Sequence, residues 1–189
     1  MQVEALEIPE IKIIRPRKFG DHRGFFSETY NKKALADAGI HLDFVQDNHS
    51  MSATPGTLRG LHFQIPPMAQ DKLVRVVKGA VFDVAVDIRT GSPTYGKWVG
   101  ATISAAEWNQ ILVPVGFAHG FLTLEPDTEV EYKVTNLYAP DCDKGIAWND
   151  PDLGITWPLP DGLDAPVLSD KDGRQPLLRE CPDWFTFGA

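Results

Sequence analysis

The chain carries five histidines, and two of them stand where they could do chemistry. His62 lies inside GTLRGLHFQIPPMAQDKLVRVVKG (56–79) and His119 inside PVGFAHGFLT (114–123). Each sits on a predicted apolar strand beside a glycine, Gly60 or Gly120, where a backbone can approach a ligand closely. His22, His41 and His49 read as ordinary hydrogen-bonded or surface histidines. A neutral imidazole, with a reference pKa of about 6.5, is a natural base near neutral pH. Lys72 can stabilise an enolate oxygen electrostatically. Tyr132, on the inward face of its predicted strand, can return a proton from another direction; a core tyrosine with a satisfied hydroxyl has the same pattern. Asp170 and Asp172, in LSDKDGR (168–174), each offer a carboxylate that would fix the tautomer of His62, against the competing reading of two solvated turn residues. Such groups suit proton abstraction alpha to a ketone, so isomerisation or epimerisation follows more readily than hydrolysis. No G-x-S-x-G elbow, Walker loop or dinucleotide-binding fingerprint occurs.

The same two stretches resemble the metal-binding pattern of cupins, itself a jelly-roll signature. The matching positions are Gly56, His62, Gln64, Lys72 and Gly79, then Pro114, Gly116 and His119. Gln64 stands where the pattern has a second histidine, and Lys72 where it has a glutamate. A protonated ammonium has no lone pair and repels a divalent cation. The expectation is a cupin-like barrel with no metal, its polar groups turned to acid–base work.

The elements that must carry these residues are short strands. Residues 80–88 alternate, with Phe82, Val84, Val86 and Ile88 on one face and Asp83 and Asp87 on the other. Residues 128–136 alternate too, with Val130, Tyr132 and Val134 opposed to Glu129, Glu131, Lys133 and Thr135. Further strands are predicted at 11–15, 24–30, 43–50, 57–64, 71–78, 97–104, 110–115 and 119–125. Only 31–38 reads as a helix, with Asn31 as N-cap and Gly39 as its stop. Strands this close, without helices between them, exclude a parallel βαβ sheet. They predict an all-β antiparallel jelly-roll barrel with few short helices, as one domain over 1–189. The turn-rich stretch from about Asp161 is expected to wrap the surface. Strict alternation puts Arg59 opposite His62, so a bulge or twist is needed to bring both to one ligand.

A net charge of −8 on 189 residues argues against a general nucleic-acid or anionic-membrane binder. Positive contacts to an anionic ligand must then be concentrated at one site, and Arg23, Arg59, Lys72 and Lys171 could supply them. No apolar run approaches the roughly 20 residues that span a bilayer. The N-terminal stretch lacks the basic and apolar regions of a signal peptide. The two cysteines, Cys142 and Cys181, read as incidental thiols of a reducing cytosol, so a cytoplasmic location is expected.

Longer stretches are similar to one family. They are FGDHRGFFSETY (19–30), FVQDNHSMS (44–52), LRGLHFQIPPMAQDKLVRVVKGAVFDVAVDIR (58–89), SPTYGKWVG (92–100), VPVGFAHGFLTL (113–124), YKVTNLYAP (132–140), GIAWNDPDLGITWP (145–158) and LSDKD (168–172). In order and spacing they resemble the dTDP-4-dehydrorhamnose 3,5-epimerases over nearly the whole chain. The resemblance implies a jelly-roll homodimer with shared active sites and no metal or dissociable cofactor. The implied substrate is dTDP-4-dehydro-6-deoxy-D-glucose, a dTDP-linked 4-keto-6-deoxy sugar, and the implied product is dTDP-4-dehydro-L-rhamnose. It implies His62 as base, Tyr132 as acid, Asp172 as partner of the histidine and Lys72 beside the C4 oxygen. Arg23, Glu28, Gln46, Asp47, Asn48, Arg59, His119, Asp143 and Lys171 match ligand-contact positions, and Tyr138 matches a residue that stacks on thymine. Asp143 stands where the family often has glutamate. Residues 19–30 would reach into the partner's site. Two other readings stay open: an epimerase that inverts C3 or C5 alone, and a non-catalytic cupin-like binding protein. Binding alone does not need an acid opposite a base, which weighs against the second.

Overall fold

The computed structural model describes residues 1–188. The chain opens with β1 (Gln2–Ala5), β2 (Lys12–Arg15), a hairpin of β3 (Lys18–Asp21) and β4 (Gly24–Ser27), and helix α1 (Lys32–Asp37). It continues through β5 (Gln46–Ser52), β6 (Leu58–Gln64), β7 (Lys72–Lys78), β8 (Ala80–Asp87), β9 (Arg89–Thr90) and β10 (Trp98–Ser104). It ends with β11 (Gln110–Val113), β12 (Phe117–Thr123), β13 (Thr128–Val134), β14 (Asp143–Gly145) and β15 (Phe185–Thr186). Two sheets carry the fold, a six-stranded one ordered β1-β2-β11-β7-β13-β5 and a five-stranded one ordered β10-β8-β12-β6-β14. All their pairings are antiparallel, and neighbours in a sheet are mostly distant in sequence, as in a jelly roll. The predicted helix is present, and the Asn31 side chain accepts from Ala34 N as its N-cap.

Both alternations hold, and the structure adds which face is inside. Val81 and Ala85 of β8 pack with Val74, Val76, Ile111, Phe117, Phe121 and Val130 between the sheets. The opposite face, with Val84 and Val86 of β8 and Ile88 just after it, is buried as well. The C-terminal tail covers it with Leu153, Trp157, Leu178 and Phe185. Each such side chain contributes roughly 1.5–3 kcal/mol when fully buried, so the tail is part of the core. Because both faces of β8 are covered, Asp83 and Asp87 are fully buried.

The Arg59 problem is solved by a bulge. On β12 and β6, His119 faces His62 and Phe121 faces Arg59. One residue on β12 therefore opposes two, Gly60 and Leu61, on β6. The extra residue turns Arg59 to the side of His62. Gly60 has φ +139° and touches Gly120: a Cβ on it would lie 2.5 Å from the Gly120 Cα. Backbone on both sides prevents relief. Gly60→Ala should cost roughly 2–4 kcal/mol in thermal or urea unfolding. A variant as stable as the parent would show that the bulge tolerates a side chain.

Candidate active site

The inner face of the barrel encloses a cavity of about 420 Å³, with Arg59, His62, Lys72, His119, Tyr132 and Asp172 in its wall. An adjoining cleft of about 150 Å³ shares His62, Lys72 and Tyr132 and adds Gln46, Asn48, Tyr138 and Asp143.

His62 is presented by β6 just after the bulge. Its Nε2 lies 2.5 Å from Oδ1 of Asp172, at the start of a 3-10 turn in the tail. An ionised carboxylate only accepts, so Nε2 carries the hydrogen and Nδ1 is left as the basic nitrogen. Ser169 fixes Asp172 in turn: its hydroxyl donates to Oδ2 at 2.9 Å and accepts from the Asp172 backbone N–H at 3.1 Å. Burial opposes ionisation of Asp172, but the bonds from His62 and Ser169 and the charge of Lys171 outweigh it and hold the carboxyl below the usual carboxylate range. Asp170, the alternative partner, is exposed and pairs loosely with Arg174.

Lys72 begins β7 on the same face as Val74 and Val76, and its Nζ donates to the His62 carbonyl at 3.2 Å. Burial pushes its pKa down to about 8, against the opposing charges of Asp143 and Asp83, while Lys171 adds to the fall. Tyr132 faces inward from β13. Burial raises its pKa above the ordinary phenol value, Arg59 opposing and Asp143 adding to the rise, so it is a protonated phenol at neutral pH. Arg59 is steadied by Ser52 Oγ at 3.2 Å and the Met51 carbonyl at 3.1 Å.

At the rim, Asp143 gathers two groups: the Tyr138 hydroxyl donates to its Oδ2 at 3.3 Å, and Lys171 Nζ donates to the same oxygen. The Tyr138 N–H is held by Gln46 Oε1 at 3.0 Å, and Gln46 in turn donates to Asn48 at 2.8 Å. The Tyr138 ring is exposed, open to stacking. Four residues expected at the site line neither the cavity nor its adjoining cleft in their own chain. Lys171 meets them only through Asp143. Arg23, on the β3–β4 hairpin, pairs with Asp21. Glu28 accepts from Asn31 at 2.8 Å. Asp47 alternates to the outer face of β5 and pairs with Lys133 at 2.8 Å.

Two neighbours of the site were not singled out from sequence. Ser169 gives no signal there beyond a serine three residues before Asp172. Asp83 is fully buried, and both its oxygens lie 2.9 Å from His119 Nε2. Its signal was the alternation of 80–88, which reads as a polar face until both faces are known to be covered. Gln64 serves the backbone: it donates to the Met68 and Leu137 carbonyls and accepts from Ala139 N–H, tying two loops together. Among the described residues no three His, Cys, Asp or Glu side chains converge as metal ligands.

A jelly roll whose cavity holds a carboxylate-oriented histidine, a buried ammonium and a protonated phenol is a cupin-like barrel equipped for proton transfer. The sequence model of dTDP-4-dehydrorhamnose 3,5-epimerase matches residues 5–180, and the chain belongs to that family of sugar-nucleotide epimerases. A dTDP-4-dehydrorhamnose 3,5-epimerase of Sinorhizobium fredii is 53% identical over 99% of this chain and 94% of its own. The Bacillus anthracis enzyme of the same name, solved with TDP and PPi bound, superposes with a TM-score of 0.89 at 52% identity, covering 93% of this chain and 98% of its own. The dTDP-6-deoxy-D-glucose-3,5-epimerase of Legionella pneumophila, in complex with dTDP-4-keto-L-rhamnose, gives 0.93 at 43% identity over 100% and 99% of the two chains.

The Lys72 charge is held at a cost to the fold. Between its folded pKa of about 8 and lysine's ordinary 10.5, the unfolded chain keeps a proton the folded chain has lost, so stability rises with pH through that window. Lys72→Met removes the penalty and should stabilise the protein at pH 7 by on the order of 3 kcal/mol, read as a raised melting temperature. A melting temperature that is unchanged or lower would contradict this.

Proposed function

We propose that this cavity inverts both C3 and C5 of dTDP-4-dehydro-6-deoxy-D-glucose, giving dTDP-4-dehydro-L-rhamnose. The observation that carries the reading is a single cavity walled by an oriented base, an ammonium and a protonated phenol. Nδ1 of His62 takes the proton from a carbon next to the C4 ketone. The C–H electron pair moves to the C4 oxygen, and the Lys72 ammonium stabilises the enolate. As the enolate collapses, the Tyr132 hydroxyl delivers a proton to the opposite face of the same carbon, which inverts it. Solvent takes the proton from His62 and restores that of Tyr132. C3 and C5 both flank C4, so either enolate places its charge on the same oxygen.

Arg59 and Lys171 supply positive charge for the diphosphate on an otherwise acidic chain, and Tyr138 offers its ring to the nucleobase. Arg23 and Glu28 join the site in a homodimer, where residues 19–30 of one protomer reach the cavity of the other. The exposure of Phe19, Phe25 and Phe26 on and beside that hairpin supports this. The reaction runs in the cytoplasm, without metal or dissociable cofactor.

His62→Asn should nearly abolish both exchange of the protons beside the ketone and epimerisation. Tyr132→Phe should lose inversion more than exchange, because a proton can still return to the face it left. The losses should be about 100- to 10,000-fold. Undiminished epimerisation by Tyr132→Phe would remove Tyr132 from the mechanism.

A further inference from the structure

Gln64 stands where a metal-binding cupin has its second histidine, and it takes no part in the reaction as written above. It ends β6, two residues after His62, so the two side chains leave the same face of the strand. It is buried and lines the cleft that also holds Tyr138. Both amide hydrogens are used: Nε2 donates to the Met68 carbonyl at 2.6 Å and to the Leu137 carbonyl at 3.1 Å. Oε1 accepts from the Ala139 N–H at 2.7 Å. One side chain thus grips the backbone on both sides of Tyr138. Residues 137–139 lie between β13 and a 3-10 turn at Pro140–Cys142, outside any strand, so no sheet ladder holds them. Leu137 and Tyr138 are both exposed, so burial of their side chains does not anchor them either.

We propose that Gln64 is a positioning residue for nucleotide binding, the buried amide that holds the Tyr138 ring in a fixed place relative to His62. The proposal rests on the reading of Tyr138 as the surface offered to the nucleobase. On that reading the substrate is gripped at two ends, the sugar at His62 and the nucleobase at Tyr138, with a diphosphate of set length between them. Both ends can be engaged in productive geometry only if the loop and β6 keep one spacing. Gln64 sets that spacing, because it belongs to the strand of His62 and is bonded to the loop of Tyr138. Other amides complete the hold: Gln46 Oε1 accepts from the Tyr138 N–H at 3.0 Å, and Gln70 Nε2 donates to the Asn136 carbonyl at 2.7 Å. Asn136 donates in turn to the Ala69 carbonyl at 2.7 Å. Gln64 differs from these in reaching both neighbours of Tyr138 at once. A neutral histidine in its place has one donor and one acceptor, one bond short of the three. A hydrocarbon would leave two carbonyls and an N–H without their partner.

The test uses the full-length enzyme with dTDP as the probe, and compares calorimetric Kd values for the parent, Gln64→Met, Tyr138→Ala and the double variant. Losing a stacked nucleobase weakens binding about 5- to 150-fold, the effect expected of Tyr138→Ala. Gln64→Met should weaken dTDP about tenfold. KM for the dTDP-sugar should rise by a similar factor, with a smaller change in kcat. Because Gln64 acts through the ring, adding Gln64→Met to Tyr138→Ala should cost less than about twofold more. Amide hydrogen exchange reads the hold itself: the Ala139 N–H should exchange faster in Gln64→Met while the β6 and β7 amides stay protected. Should Gln64→Met fail to fold, Gln64→Glu is read instead. It keeps an acceptor for Ala139 and loses both donors, and the same non-additivity is expected. Unchanged dTDP affinity in the folded Gln64 variant, or losses that multiply in the double variant, would overturn the proposal and leave the functional reading standing. If Tyr138→Ala binds dTDP as tightly as the parent, the reading of Tyr138 falls, and the proposal with it.

Discussion

The contact between His62 and Asp172 joins two parts of the chain 110 residues apart, at 2.5 Å, and much of the molecule exists to make it. The histidine belongs to a barrel strand and the carboxylate to the tail. For them to meet, the tail must lie in one register across the outer face of the five-stranded sheet. Leu153, Trp157, Leu178 and Phe185 hold it there by burial. The Thr57–Val167 bridge and the β15–β9 pairing pin it at two further points. Ser169 then sets the last few ångströms. Hydrophobic burial thus fixes a hydrogen bond, and the hydrogen bond decides which imidazole nitrogen is basic.

A second constraint follows from putting charges in an apolar barrel. The chain is acidic overall, yet the cavity wall carries Arg59 and Lys72, with Lys171 at its rim. Desolvation lowers the lysine and raises the tyrosine; Asp143 and Asp83 oppose the first shift and Arg59 the second, while Lys171 and Asp143 respectively add to them. One environment therefore yields an ammonium close to losing its proton and a phenol firmly holding one. The interior departs from a well-packed apolar core where a proton must move, which is where a fold accepts destabilising groups.

Much of this was legible in the sequence. The alternation of Val130, Tyr132 and Val134 set the inward face of β13. Asn31 and Gly39 bounded the helix, and the crowded strands excluded a parallel sheet. The choice between Asp170 and Asp172 was not open to local pattern. Both are acidic residues of one turn, and only the path of the tail separates a buried carboxylate from an exposed one. Arg59 was misplaced by strict alternation because a bulge changes the period at a single glycine. Asp83 was hidden for another reason: alternation reports that two faces differ, and cannot report that both are covered. Arg23, Glu28 and Asp47 matched a pattern of ligand contacts, while their own chain turns them away from the cavity.

One measurement bears most directly on the claim that a single cavity serves two carbons. The enzyme is incubated with dTDP-4-dehydro-6-deoxy-D-glucose in deuterated water, and a coupled 4-keto reductase traps the product for NMR. One base, one acid and one shared enolate oxygen require deuterium at both C3 and C5, with both centres inverted. Deuterium and inversion at only one carbon, or at neither despite tight binding, would contradict the account.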